Sequence, residues 1–136
     1  SEAFDHGSRP ICNMTCDTLQ YGSWLQEENL GAFSPTAARG ITLFTSTIRR
    51  GSPDYLDPRL NCHSKLHEVM ALVQAIEAGA DEALMLDIHG FIATCNATNF
   101  FMVKNGAVWT STGQYCMNGI TRGKVLKVCG ENGIPC

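Results

Sequence analysis

Residues 64 to 110 carry the pattern that most constrains this chain: one helical period, followed at once by strand-like runs joined through tight turns. Leu66, Val69, Met70, Val73 and Ile76 recur at helical spacing and so share one side of a helix. Ser64 is placed to cap its start. Gly79 stands where a left-handed residue ends it. The spacing predicts a helix over 65–78. Ala83-Leu84-Met85-Leu86 is then a short apolar run, and Asp87-Ile88-His89-Gly90 has the residues of a tight turn. Phe91-Ile92-Ala93 begins the return strand. Asn99 to Val103 is a further apolar run, Asn105-Gly106 is a strong hairpin signal, and Ala107-Val108-Trp109-Thr110 is its partner.

On either side the pattern is looser. Gly40 to Ile48 is rich in β-branched residues and reads as a strand. Gly51-Ser52-Pro53-Asp54 and Asp57-Pro58 break it, which marks 51–60 as a linker. Residues 1 to 38 show little periodicity, and 31–38 reads as a loop. Thr121 is placed to cap a second helix that turns Val125, Leu126 and Cys129 inward and stops at Gly133.

Composition narrows the function classes. The Lys and Arg residues, 10 in all, are scattered against a net charge of -3, so nucleic acid is not an expected partner. Arg49-Arg50 reads as a solvated strand end. No apolar run approaches the ~20 residues of a membrane span. Ser1 to Pro10 is polar and unlike a signal peptide, so the 7 cysteines read as cytosolic thiols and the expected location is cytoplasmic. Cys12-x-x-x-Cys16 has no second Cys/His pair at zinc-finger spacing. His63 and His67 lie at i,i+4 outside an HExxH pattern and read as exposed, so no metal is expected.

Two loops invite chemistry. Thr94-Cys95-Asn96-Ala97-Thr98-Asn99 offers hydroxyls, amides and open backbone N–H groups that suit anions and polar ligands, although an ordinary surface loop has the same composition. Asn118-Gly119-Ile120-Thr121 leads straight into a helix, where free N–H groups and the helix dipole favour a phosphate, although a plain N-cap looks the same.

The order and spacing of Val69-Met70-Ala71, Glu77 to Asp87, His89-Gly90, Asn99 to Gly106 and Gly119-Ile120-Thr121-Arg122 resemble the class IV, or branched-chain-type, aminotransferases, from about residue 40 to 135. The resemblance implies a two-domain α/β (α+β) fold with pyridoxal 5'-phosphate (PLP) between the domains. Residues 1–50 would be the tail of the small domain, 51–60 the interdomain linker and 61–136 an incomplete large domain. It implies amino-group transfer between an amino acid and a 2-oxo acid in a homodimer. A PLP lyase on the same scaffold and a non-catalytic PLP- or phosphate-binding descendant are the alternatives. Gly119, Ile120 and Thr121 match the family's phosphate-holding motif, Met117 its apolar contact to the pyridine ring, and Thr98 and Asn99 the loop around the cofactor edge.

Two positions depart from the family. Thr94 stands where the resemblance expects a glutamate facing the pyridine nitrogen, a charge that makes the ring a good electron sink. Leu60 or Asn61 stands where it expects the Schiff-base lysine. Lys65 occupies the position of a tyrosine directed at the cofactor and is the candidate catalytic amine; as a plain helix-surface charge it would need no such role.

Overall fold

The computed structural model describes residues 40–136 and the backbone of one strand nearer the N-terminus. That strand is β1 (Cys12–Met14), followed by β2 (Ile41–Thr45), helix α1 (Leu66–Glu77), β3 (Glu82–Leu86), β4 (Ile92–Cys95), β5 (Phe101–Lys104), β6 (Ala107–Thr110) and helix α2 (Ile120–Glu131). The rest of the poorly patterned stretch before Gly40, with the loop expected at 31–38, lies outside the described residues.

Strands β1 to β4 form one sheet in chain order, and β5 and β6 form a separate hairpin. β2 and β3 are parallel, with α1 as the crossover between them, while β1–β2 and β3–β4 are antiparallel. The stretch expected as an interdomain linker therefore joins elements of a single sheet.

Strand alternation sorts the core into two sides. Ala83 and Met85 of β3 pack with Phe44 against α1, whereas Ile41, Leu43 and Cys95 cluster on the opposite face with Leu84 and Phe100. Thr94 pairs with Met85 across the β3–β4 ladder, and so shares the α1 face.

The helix over 65–78 is present, but its orientation is not what its pattern suggests. Ala71 and Ala75 are fully buried against the sheet, while Leu66, Val69, Met70, Val73 and Ile76 are exposed by 47–72%. Alanine lets helix and sheet approach closely, and the large apolar stripe points away. Gln74, on the inner side, accepts from Ser46 Oγ (2.7 Å) and Thr47 N (3.0 Å) through Oε1, clamping the end of β2 to the helix. Neither helix has the expected side-chain cap: the N-cap positions are Lys65 and Gly119 rather than Ser64 and Thr121.

The turns follow their sequences. Asn105 and Gly106 both have positive φ (53° and 75°), the type I′ geometry that suits the twist of a two-residue hairpin. Asp87 accepts from the backbone N of Gly90 (3.1 Å) through its carbonyl and from the N–H groups of His89 and Phe91 (2.8 and 2.9 Å) through Oδ1. In α2, Val125 and Leu126 are half-buried and Cys129 is buried, as the inward face requires, and Gly133 ends the helix at φ 64°.

Candidate cofactor site

A cavity of about 290 Å³ opens between the start of α1, the segment after β2 and the loop after β4. Lys65, Thr94, Thr98, Asn99 and Met117 all line it. Five residues spread over three distant segments thus converge on one space. Gly119, Ile120 and Thr121 lie beside it rather than in its wall.

The loop after β4 is held from within. The carbonyl of Thr98 accepts from Cys95 N (2.9 Å) and from the hydroxyl of Thr94 (2.8 Å). Asn96 exchanges bonds with Ala83 of β3, its backbone N donating (2.9 Å) and its Oδ1 accepting (2.8 Å). The hydroxyl of Thr98 donates to the buried carboxylate of Glu82 (2.8 Å). Because the hydroxyl proton of Thr94 is committed to Thr98, only its oxygen lone pairs remain to meet a ligand.

Asn99 connects this loop to the start of α2. Its Nδ2 donates to the Met117 carbonyl (3.0 Å). Its Oδ1 lies 2.7 Å from where a Cβ on Gly119 would stand, so a larger residue at that helix start would have to displace the Asn99 amide. No side chain caps α2, and its first N–H groups lack acceptors within the helix, an arrangement ready for an anion. Arg122 braces the same turn, its Nη2 donating to the Ser111 carbonyl (2.8 Å) and its Nη1 to Asn118 Oδ1 (3.1 Å).

The sequence did not mark the charged part of the wall. Arg50, read as a solvated strand end, is only 5% exposed. Its guanidinium contacts Glu68 Oε1, His67 Nε2 (3.2 Å) and the Tyr115 carbonyl (3.2 Å). His67 is likewise not a free surface histidine: burial pushes it below its ordinary pKa, with Glu68 opposing that shift and Arg50 and Lys65 adding to it. Asp57 and Arg59, also near the cavity mouth, form an exposed ion pair (2.7 Å) that holds the carboxyl low. Burial raises the Cys129 thiol, far from this wall. The signal missed was a charged pair at the end of a strand followed by acceptors in the first turn of the next helix.

A parallel β–α–β crossover beside an antiparallel strand, with an uncapped helix start just after the cavity-lining Met117, defines an α/β unit. Its family is class IV amino-transferase, whose family model matches residues 24–136, and the chain belongs to it. It is 43% identical over 89 residues to branched-chain-amino-acid aminotransferase-like protein 2 of Arabidopsis thaliana, covering 65% of this chain and 16% of that protein. It is 33% identical over 114 residues to the branched-chain-amino-acid aminotransferase of Pseudomonas aeruginosa, covering 83% of this chain and 35% of the relative. An aminotransferase from Brucella abortus solved with the co-factor PLP superposes with a TM-score of 0.66 at 29% identity, over 71% of this chain and 35% of that one. The chain thus spans about a third or less of these relatives. Among the described residues no helix is long and apolar enough to cross a membrane.

Proposed function

We propose that this chain forms part of a PLP-dependent aminotransferase that moves an amino group between an amino acid and a 2-oxo acid. The observation that carries the reading is the single cavity in which Lys65, Thr94, Thr98, Asn99 and Met117 meet, bordered by the open start of α2. The residues present fit the cofactor at its phosphate end: the start of α2 has no side-chain cap, which leaves backbone N–H groups in the Gly119 to Thr121 turn for a phosphate, and a Cβ on residue 119 would crowd Asn99 beside them. PLP, when bound, supplies the carbonyl that receives the amino group and a ring that accepts electron density.

The protein's own residues divide the remaining work. Met117 would cover one side of the ring, and Thr98 and Asn99 would hold its edge. The Thr94 oxygen would accept a hydrogen bond from a protonated ring nitrogen, without the charge a carboxylate would add. Lys65, at the cavity wall beside the α1 start, would supply the amine for the cofactor carbonyl. The names of the relatives give no support to a lyase or to a non-catalytic descendant. We further propose that the full protein works as a homodimer in the cytoplasm. The pairing of β2 with β3 supports a change from small to large domain before Ile41 rather than at 51–60.

The test is chemical. The full-length protein is mixed with PLP, reduced with borohydride and digested for mass spectrometry. A pyridoxyl group on Lys65, absent from Lys65→Ala, is the expected result. Reduction that leaves no lysine modified would sink the reading.

A further inference from the structure

Arg50 reaches three elements from one buried position. Its backbone N donates to the Leu86 carbonyl at the end of β3 (2.8 Å). Its Nε donates to the Tyr115 carbonyl (3.2 Å), and its Nη1 meets both Glu68 and His67 in the first turn of α1. Tyr115 lies two residues before Met117, and His67 two residues after Lys65. The same guanidinium therefore spans the two segments that bring Lys65 and Met117 to the cavity.

Hydrogen-bond inventory then fixes a proton. A guanidinium has donors and no acceptor, and it stays protonated in proteins. The atom facing Arg50 Nη1 at 3.2 Å is His67 Nε2, so that nitrogen must carry its lone pair there. The imidazole proton is then on Nδ1, which lies 3.1 Å from Glu68 Oε2. That approach is an electrostatic contact rather than a well-aligned hydrogen bond, since Glu68 Oε2 has no directed partner. Both neighbours favour the same tautomer. A second proton on Nε2 would point an N–H at an N–H beside a fixed positive charge. The groups facing His67 are Arg50 from the segment after β2, and Glu68 and Lys65 from its own helix and cap.

We propose that Arg50 is a positioning residue of this site: it sets the Lys65 turn against the Tyr115–Met117 segment and locks His67 as the neutral Nδ1–H tautomer. His67 then takes no part in proton transfer, although it lines the cavity. The consequence for catalysis rests on the aminotransferase reading; the tautomer and the clamp do not, and both are measured without cofactor.

The experiment uses the cofactor-free, full-length, ¹⁵N-labelled protein. Long-range proton–nitrogen correlations report the His67 tautomer, assigned by its loss in His67→Gln. The wild type shows Nδ1–H and titrates below an ordinary histidine. In Arg50→Met the cation leaves and the Glu68 carboxylate stays, so the midpoint rises by about one pH unit and Nε2–H signal grows in. Arg50→Lys keeps a donor against Nε2 and restores the Nδ1–H form. In the same Met variant, amide exchange at 115–118 quickens at least tenfold while the β5–β6 hairpin is unchanged. An Nε2–H tautomer in the wild type overturns the proposal. So does an unchanged His67 spectrum in a folded Arg50→Met protein, or exchange that quickens equally in the hairpin, since the pair would then serve stability alone. If Arg50→Met does not fold, the wild-type tautomer decides. A failure of the aminotransferase reading shows separately, as a missing Lys65 adduct.

Discussion

Asn99 and Gly119 touch across the two loops of the site: Asn99 Oδ1 occupies the space 2.7 Å from where a Cβ on residue 119 would be. Gly119 has φ -62°, so its backbone would accept any residue and only the Asn99 side chain crowds a larger one. Gly119→Ala should displace Asn99 and break its bond to the Met117 carbonyl. The expected result is an affinity for PLP weakened about tenfold, or ~1.4 kcal/mol. Fluorescence titration measures it, with thermal melting as the control for intact folding.

Glu68 and Arg50 form a buried pair, their side chains 13% and 6% exposed. Removing one charge leaves the other unpaired in a low-dielectric setting. Glu68→Gln should lower stability by about 3–5 kcal/mol, read from urea unfolding of the full-length protein.

The inner face of α1 has no spare volume, with Ala71 and Ala75 both at 0% exposure. Ala71→Leu should therefore overpack the helix–sheet contact and cost about 1–3 kcal/mol. Val73→Ala, on the stripe that faces away, should cost less. Urea midpoints of the two variants test that ranking, which is the reverse of what hydrophobic pattern alone would rank.

Burial holds folded His67 below the ordinary histidine value, so the unfolded chain binds the proton more tightly. This contribution to stability is fully present above the unfolded value of ~6.5 and is lost as pH falls through it toward the lower folded value. The wild type should lose stability between neutral and acidic pH more steeply than His67→Gln. Denaturant midpoints across that range check the difference.

Thr94 donates its only proton to Thr98 and offers a bound ring nitrogen no charge. Thr94→Glu would place a carboxylate on the same face of β4. The pH midpoint of the bound cofactor's absorbance should rise by more than about one unit, because an opposite charge favours the protonated nitrogen. An unmoved midpoint would remove Thr94 from the cofactor's neighbourhood.

Much of the scaffold was legible because its signals are local. The Asn105-Gly106 turn, the left-handed Gly79 and Gly133, and the α1 period each depend on residues close in sequence. The facing of α1 was not legible. Its strongest apolar stripe is outside, and the sheet-facing side is built from Ala71, Gln74 and Ala75, which score as small or polar. Periodicity reveals that a helix exists, but close approach rather than hydrophobicity selected its buried side.

The site was legible in part for the same reason. Lys65, Thr94, Thr98, Asn99 and Met117 were singled out through the family resemblance, and one cavity gathers them. Arg50, His67 and Glu68 escaped because their meaning lies in contacts across 17 and 18 positions of sequence, not in any short pattern. A pair of arginines after a strand reads as solvated until an acceptor is seen to face it.

The parallel pairing of β2 with β3 also sets the order in which this unit can be assembled. Thr45 and Glu82 are separated by residues 46–81, so these two strands cannot zip together from a turn as β5 and β6 can. The intervening chain must first be drawn into a closed loop, at an entropic cost that the pairing recovers only afterwards. Coiling α1 shortens that span, and Gln74 fastens the last turn of the helix to the exit of β2. The hairpin should thus gain protection early, and the β2–β3 ladder late, with α1 setting the pace.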